Sequence, residues 1–275
     1  MFGSILVSAQ SDDSRLQAIQ DALKSFFRDN KSYYREAEGN KDYIYRPVLK
    51  LIADMAQSNH PPRVLELGAG RTSFPRFLRE HKTGIQIDLI AHDINETNVD
   101  YYAQNSIKFV VGDWPQIKAE GPFDLCFSSF VYEHLVEPHN FLKGMIENLT
   151  PTGKIVIVCP KYIVPGYVPP AIRWLPLWKQ HLLTCYLSLS NMLTKITKRC
   201  NFWICVEPTI IRRPYRRDYD AVHMVSTEDV RAAVSPNFRV RTLPLDRTTV
   251  TARVRDRLML LSIVIERNAA NGQDA

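Results

Sequence analysis

One segment of the chain reads Val64-Leu65-Glu66-Leu67-Gly68-Ala69-Gly70-Arg71-Thr72, an apolar run with an acid, then two glycines one residue apart. Short apolar runs bounded by glycine are typical of buried strands. Glycine lets the backbone turn tightly and lets a ligand lie against it. A helix that begins after the turn would present free N–H groups beside that ligand. The segment therefore predicts a nucleotide-type binding site at the carboxyl end of a parallel strand.

Short apolar runs alternate with helical patterns on both sides of this turn. Before it, helices are expected over 14–28 and 43–55, where apolar residues recur at steps of three and four. The alternation implies a parallel sheet with right-handed crossovers. The strands are expected at 63–67, 85–91, 107–111, 123–127 and 153–158, with a helix over 135–149 before the last. Near the end of the chain, a helix over 226–235 and strands at 238–243 and 258–266 are expected.

An acid stands at or near the carboxyl end of three consecutive predicted strands, namely Glu66, Asp93 and Asp113. Burying a carboxylate without donors costs free energy, so three at one sheet edge predict a shared cationic or hydroxyl-rich ligand. Asp93, after the second strand, can accept hydrogen bonds from both hydroxyls of a ribose. Asp113, after the third strand, can accept one from an exocyclic amine, and Trp114 beside it can cover a flat base.

In this pattern, residues 62–160 resemble the class I S-adenosylmethionine-dependent methyltransferases, in particular the broad small-molecule group. The resemblance implies that S-adenosyl-L-methionine is the cofactor and that the Glu-x-Gly-x-Gly turn holds its methionine end. It places the ribose at Asp93 and the adenine at Gly112-Asp113. The chain departs from many relatives at Thr72, where they carry a third glycine. The expected cofactor-binding residues are Glu66, Gly68, Gly70, Thr72, Asp93, Ile94, Asp113, Trp114 and Ser129.

The resemblance also implies the architecture. The expected fold class is α/β, with a Rossmann-like seven-stranded sheet that is mostly parallel, an antiparallel edge hairpin, and helices on both faces. Residues 61–275 are expected to form the methyltransferase domain, after an N-terminal helical extension over 1–60. Residues 161–225 are expected to be a lid or substrate insertion. The implied activity is methyl transfer by direct displacement to a small-molecule, lipid or glycan acceptor.

Glu133 and His134 are the candidate catalytic residues. The resemblance places this pair beside the end of the fourth strand, where it lines the site. Histidine titrates near neutrality and can take a proton from a hydroxyl acceptor. The alternative is a structural role, in which the pair caps the helix that follows. Methyl transfer from a sulfonium needs little acid–base help with a good nucleophile, because alignment then supplies most of the acceleration.

Two other classes of protein remain open at this point. A dinucleotide-dependent oxidoreductase would need glycine at position 73, which is Ser73 in this chain. It would also not require an acid before the turn or after the third strand. A non-catalytic binding or scaffold protein could use the same fold, since fold does not determine function.

The predicted insertion carries an apolar stripe. Between Leu175 and Ile196, apolar residues recur at steps of three and four, which predicts an amphipathic helix. Three roles are open for this stripe: a lid packed over an acceptor pocket, a peripheral membrane contact through 172–217, or a contact between copies of the chain. The oligomeric state is not specified by the sequence.

The charge of the chain is uneven. Residues 1–160 hold 17 basic and 20 acidic side chains, whereas residues 161–275 hold 18 and 9. The basic half could face an anionic surface or substrate, and the arginines between 212 and 217 could bind an anion. A solvated, arginine-rich surface is the alternative. Nucleic acid is not expected as a partner, because no recognised binding module accompanies the charge.

Composition sets further bounds. With 275 residues, the chain can bury a full core as one domain with an insertion. Its five cysteines are scattered without Cys-x-x-Cys spacing, which indicates a reducing compartment and argues against a metal site. No stretch has the length of an uncharged membrane span, and the N-terminal apolar run is shorter than that of a signal peptide. A cytoplasmic location is expected, at the inner face of a membrane if the stripe binds lipid.

Overall fold

The computed structural model describes residues 6–8, 17, 19–21, 23–25, 41–56, 60–81, 84–112, 114–169, 172–199, 203–205, 222–223 and 226–268. Two predicted features lie outside these residues, namely Asp113 and the arginines between 212 and 217. Within the predicted helix over 14–28, the described residues 17, 19–21 and 23–25 are helical.

A seven-stranded sheet forms the centre of the molecule, with the order β4-β3-β2-β5-β6-β10-β9. The neighbouring strands from β4 to β6 are parallel, whereas β10 runs antiparallel to both β6 and β9. This confirms the predicted fold class. The strands are β1 (Leu6–Ser8), β2 (Arg63–Leu67), β3 (Asp88–Asp93), β4 (Lys108–Val111), β5 (Phe123–Ser129), β6 (Leu149–Pro160), β7 (Trp203–Cys205), β8 (Val222–His223), β9 (Phe238–Thr242) and β10 (Leu260–Arg267).

The order of the sheet determines where a ligand can bind. The chain runs outward from β2 to β3 and β4, then returns to place β5 on the other side of β2. In open parallel sheets, the crevice outside the carboxyl ends of the strands at such a reversal is the usual ligand site. The glycine turn follows β2 directly and therefore lies at this crevice.

Eight α-helices are described in full, and they cover both faces of the sheet. One face packs against α1 and α2 through Ile44, Tyr45, Phe74 and Phe77. Along β6, Val156 and Val158 point to this face, whereas Ile155 and Ile157 point to the other, as the period of a strand requires. The helices are α1 (Asp42–Met55), α2 (Phe74–Glu80), α3 (Val99–Gln104), α4 (Trp114–Lys118), α5 (Pro138–Glu147), α6 (Leu177–Thr197), α7 (Thr227–Ala233) and α8 (Val250–Met259).

The antiparallel edge differs in detail from its prediction. The strand predicted to begin at Leu258 begins at Leu260, because the preceding residues form α8. The Thr249 hydroxyl caps this helix by accepting a hydrogen bond from the backbone N–H of Ala252 at 3.2 Å. The connection from β9 to β10 is therefore a helix, although the two strands pair antiparallel as a hairpin would.

A second, three-stranded sheet was not expected from the sequence. It has the order β1-β7-β8 and is antiparallel throughout. In it, Leu6 pairs with Cys205, and Cys205 in turn pairs with Val222. The N-terminal strand is thereby joined to two strands that belong to the predicted insertion. Pairings between segments so distant in the chain leave no local sequence signal.

The amphipathic helix predicted within the insertion is present as α6. Its buried residues are Gln180, Leu183, Thr184, Leu187, Ser190 and Thr194. The stripe residues Trp178, Leu182, Tyr186, Leu189, Leu193 and Ile196 are exposed instead. Three further apolar residues of the predicted stripe, Leu175, Leu183 and Leu187, are buried and pack in one cluster with Tyr162, and the lid role of the insertion stays a prediction. No described helix is long and apolar enough to cross a membrane.

Candidate active site

The glycine turn after β2 needs both of its glycines. Gly68 and Gly70 have φ angles of +59° and +55°, in the left-handed region that glycine adopts without strain. A Cβ atom on Gly68 would also lie 2.4 Å from Val131 Cγ1, closer than carbon atoms can approach. The turn is held from outside by two tyrosines of α3. The Tyr101 hydroxyl donates to the Thr72 carbonyl at 2.8 Å, and that of Tyr102 donates to the Gly70 carbonyl at 2.9 Å.

Asp93 joins the end of β3 to this turn. Its Oδ2 accepts a hydrogen bond from the Gly70 backbone N–H at 2.9 Å, and its Oδ1 accepts one from the Asn95 N–H at 3.1 Å. The side chain is buried and lies on the wall of a cavity. The two backbone amides therefore fix the orientation of the carboxylate.

Glu66 and Thr72 lie behind the turn and are not among the residues that line the cavity. The Thr72 hydroxyl donates to Glu66 Oε1 at 2.8 Å. Since that donation uses its proton, the contact of 3.1 Å with the Tyr45 hydroxyl has Tyr45 as the donor. Glu66 Oε2 is buried, with no hydrogen-bond partner among the described residues. Burial raises the pKa of Glu66 to about 7, against the opposing effect of the nearby Lys41 charge.

Lys41 is a cavity residue that sequence reasoning missed. Its Nζ donates a hydrogen bond to Ser129 Oγ at 2.9 Å and lies 5.9 Å from the centre of the Phe130 ring. Ser129, a predicted site residue, lines the cavity and is in contact with the Lys41 ammonium. Lys41 immediately precedes α1, far from the glycine turn in the chain, and no motif marks it. Only the packing of α1 onto the sheet brings it to the site.

The wall beyond Asp93 is built from Ile94, Gly112 and Trp114, all of which line the cavity. Gly112 accepts a hydrogen bond at its carbonyl from the His92 side chain, at an Nε2–O distance of 2.8 Å. The Trp114 ring fits over Gly144 of α5, where a Cβ atom would lie 2.5 Å from the indole nitrogen. It also meets the Phe141 ring edge-on at 5.0 Å. The predicted partner of the adenine amine, Asp113, is not described.

Glu133 and His134 form the opposite part of the wall, on a short 3-10 helix over Tyr132–His134. His134 Nε2 lies 3.8 Å from Glu133 Oε1, close enough for an ion pair when the imidazole is protonated. The alternative capping role stays a hypothesis. The next helix, α5, begins at Pro138, with Glu137 at its N-cap position and no capping hydrogen bond from a side chain.

The cavity has a volume of about 800 Å³, at the upper end of the range for small-molecule sites. One part of its wall follows the carboxyl ends of the strands, as described above. The other part consists of residues that a cofactor turn does not require and that come from several segments. These are Gln17, Gln20, Leu23 and Lys24 near the N-terminus, Glu137, Asn140 and Phe141 at α5, and Pro160, Tyr162 and Tyr167 at and after the end of β6. The lining of the cavity therefore extends beyond the strand ends to these other segments.

Comparison with known proteins adds to this geometry. Residues 39–197, more than half of the chain, match the model of a protein family described as a methyltransferase domain. No curated protein sequence matches the chain.

Among solved structures, the chain is similar to the 1,6-didemethyltoxoflavin-N1-methyltransferase of Burkholderia thailandensis, crystallised with 1,6-didemethyltoxoflavin and S-adenosylhomocysteine. The identity is 13%, the TM-score is 0.54, and the match covers 96% of this chain and 95% of the other. An S-adenosylmethionine-dependent methyltransferase from Mesorhizobium loti has 16% identity and a TM-score of 0.46, over 80% of this chain and 98% of its own. At such identities the likeness concerns the fold alone.

Proposed function

Because the chain belongs to the methyltransferase domain family, we propose that it transfers a methyl group from S-adenosylmethionine to a small-molecule, lipid or glycan acceptor by direct displacement. The observation that carries the proposal is the hydrogen bond from the Gly70 N–H to Asp93, which holds a carboxylate on the cavity wall beside a left-handed glycine turn. Family membership removes the dinucleotide-dependent oxidoreductase from consideration. The family match also confirms the prediction, made from the sequence motifs, that the chain is a methyltransferase.

The residues at the strand ends fit this cofactor. Asp93 offers carboxylate lone pairs to the ribose hydroxyls, and the indole of Trp114 offers a flat apolar face to the adenine. The backbone over residues 68–70 leaves room for the methionine part. Glu66 Oε2 is a buried oxygen in need of a donor, which a bridging water would supply. Asp113 remains the predicted partner of the adenine amine.

We assign the methionine carboxylate to Lys41. The cofactor carries a carboxylate at this end, and Lys41 is a cationic residue of the cavity wall. The Lys41 ammonium lies on the cavity wall at the end of β5, bound to the Ser129 hydroxyl. A hydrogen bond between two charged groups is about twice as strong as a neutral one.

The chemistry of the step is supplied by the cofactor, whose sulfonium carries the methyl group. The chain's own residues orient the acceptor and exclude water, and alignment contributes most of the acceleration for a good nucleophile. For a hydroxyl acceptor, His134 is positioned on the wall to take the proton. The imidazolium formed would then be stabilised by Glu133, 3.8 Å away.

Titration calorimetry with S-adenosylhomocysteine tests the proposal through two lysines near α1. Lys41→Met should weaken binding by about tenfold or more, because a hydrogen bond to a charged group is worth about 1.5–3 kcal/mol. Lys50→Met is the matched control, since Lys50 is exposed on the same α1 helix and should have no effect. Failure of the wild-type protein to bind would overturn the cofactor site. Equal binding by both variants would overturn the role of Lys41 alone.

A further inference from the structure

The outer face of α6 carries large apolar side chains from its first turn to its last. Its large exposed side chains recur at steps of three and four, so they share one side of the helix. They are Leu177, Trp178, Leu182, Tyr186, Leu189, Met192, Leu193 and Ile196. Surface helices of globular proteins normally turn their apolar side to the core and their polar side to water. On α6, large apolar side chains face outward on one side, although Leu183 and Leu187 are buried on the other.

The inner face is held in place by polar contacts. Gln180 Nε2 donates a hydrogen bond to the Leu175 carbonyl at 2.6 Å, and the Thr194 hydroxyl donates to Asp229 Oδ1 at 3.3 Å. Leu183 and Leu187 pack between these two ends with Tyr162. Turning the helix to bury its apolar side would break these bonds and expose both leucines. The apolar face is therefore a fixed surface of this fold.

The chain segment that contains α6 carries charges of one sign. Residues 161–206 contain six lysines and arginines and no aspartate or glutamate. Lys195, Lys198 and Arg199 are exposed at the C-terminal end of the helix, and Arg173 is exposed before its N-terminus. Near the first turn, Lys179 Nζ lies 5.3 Å from the centre of the Trp178 ring. Basic groups thus flank the apolar face at both ends.

We propose that the outer face of α6 binds the surface of an anionic lipid membrane. An apolar helix face with flanking lysines, arginines and aromatic rings is the pattern of a helix lying in the plane of the interface. Its 21 residues give a length of about 30 Å along that plane. The basic groups would meet the negative headgroups, while the leucines and Trp178 enter the acyl boundary. The helix lies on the membrane and does not cross it.

A second copy of the chain is the competing occupant of this face. Charge complementarity disfavours it. Antiparallel pairing of two α6 helices would bring Lys195 of each copy near Lys179 of the other, and parallel pairing would align like charges along the whole helix. With no acid between residues 161 and 206, neither arrangement offers a compensating partner from this segment. An anionic surface supplies the missing negative charge.

If α6 binds a membrane, the position of the cavity beside α6 favours one class of methyl acceptor. This inference about the acceptor rests on the proposed function. Tyr162 packs with Leu183 and Leu187 of α6, and it also lines the cavity. Tyr167 belongs to the same cluster and the same wall. The cavity is thus separated from the lipid-binding helix by one layer of side chains. This arrangement favours an acceptor that is itself lipid or carried on lipid.

Vesicle sedimentation tests the proposal. The wild-type protein should sediment with vesicles that contain phosphatidylglycerol at low salt, and should remain in solution with phosphatidylcholine alone or at high salt. Leu182→Ser combined with Leu189→Ser should abolish sedimentation by removing apolar contact. Lys195→Glu combined with Arg199→Glu should weaken it by at least about tenfold, because each basic residue near the surface contributes severalfold to affinity.

Lys50→Glu combined with Lys143→Glu is the matched control. It makes the same change in net charge at two exposed lysines on α1 and α5, and should leave vesicle binding unchanged. A wild-type protein that ignores anionic vesicles at low salt would overturn the proposal. So would equal losses in the two charge variants, or a dimer in analytical ultracentrifugation that the double leucine variant dissociates. Because none of these measurements uses the cofactor, their failure is distinct from failure of the proposed function.

Discussion

At the scale of single residues, Thr72 explains how this chain can differ from its relatives at the glycine turn. The sequence shows a hydroxyl side chain where many relatives carry glycine. In the structure, that hydroxyl points away from the cavity, donates to Glu66 and accepts a hydrogen bond from the Phe74 N–H at 3.1 Å. It therefore bonds both to the buried acid and to the first N–H group of α2. The Tyr45 hydroxyl completes this group from α1.

Glu66 gives a pH-dependent prediction. Its pKa is about 7 in the folded protein, against 4.5 for the ordinary carboxyl. Between these pH values, the folded state holds more protons than the unfolded state, so the free energy of unfolding should fall as pH rises. Glu66→Gln keeps an oxygen for Thr72 and does not titrate. Without ligand, the variant should gain stability relative to wild type between pH 4 and 8, by at most about 3 kcal/mol.

Urea unfolding of both proteins across this pH range measures the gain. Taking the difference between them cancels the titration of the other groups. A difference that stays constant with pH would show that Glu66 does not titrate in this window.

At the scale of elements, the turn after β2 is a small rigid unit fixed from three directions. Asp93 binds it from β3, Tyr101 and Tyr102 bind it from α3, and Val131 after β5 packs against Gly68. The sequence indicates the turn and the acid, because both belong to a local pattern. It does not indicate the two tyrosines, whose hydroxyls could as well have faced solvent.

Two glycines with similar backbone angles allow the packing at the turn to be measured. Gly68→Ala should destabilise the protein by about 3 kcal/mol or more, because the left-handed conformation is strained for alanine and its Cβ would overlap Val131. Gly84→Ala is the control, with a φ of +65° and no atom within 4 Å of the position that an alanine methyl group would take. This variant should lose only about 1–2 kcal/mol of its free energy of unfolding, because the backbone strain is the one cost. If chemical unfolding shows the same loss of stability in both variants, the Val131 side chain moves aside for the added methyl group at no cost in free energy.

The helices α6 and α8 show where periodicity stops being informative. The stripe on α6 is correctly predicted as helical, but periodicity does not say which side of a helix packs inward. Here the inner side carries Gln180, which bonds to the nearby Leu175 carbonyl, and Thr194, which bonds to the distant Asp229 of α7. At the end of α8, the apolar residues Leu258 and Met259 are followed directly by the apolar strand β10, so the sequence pattern does not mark where the helix ends and the strand begins. The helix that Thr249 caps extends to Met259.

At the scale of the whole molecule, the central sheet follows from the sequence. Alternating strands and helices with right-handed crossovers leave few arrangements, and apolar runs such as Ile155–Cys159 tolerate burial on both faces. The glycine turn, Asp93, Trp114 and Ser129 meet at one crevice because the carboxyl ends of parallel strands share an edge. Lys41 and the small sheet of β1, β7 and β8 come from long-range packing, which local patterns do not encode.

The measurement that tests the central claim most directly is the affinity for S-adenosylhomocysteine of a protein without the Asp93 carboxylate. The control is Asp100→Ala, which removes an exposed acid from the nearby α3. Asp93→Ala should weaken binding by tens of fold, since truncating the partner of a hydrogen-bonded group costs about 2 kcal/mol. Asp93→Asn keeps one acceptor for the backbone amides and guards against a folding defect. If calorimetry finds wild-type affinity in a folded Asp93 variant, the cavity at the glycine turn does not bind the cofactor as described.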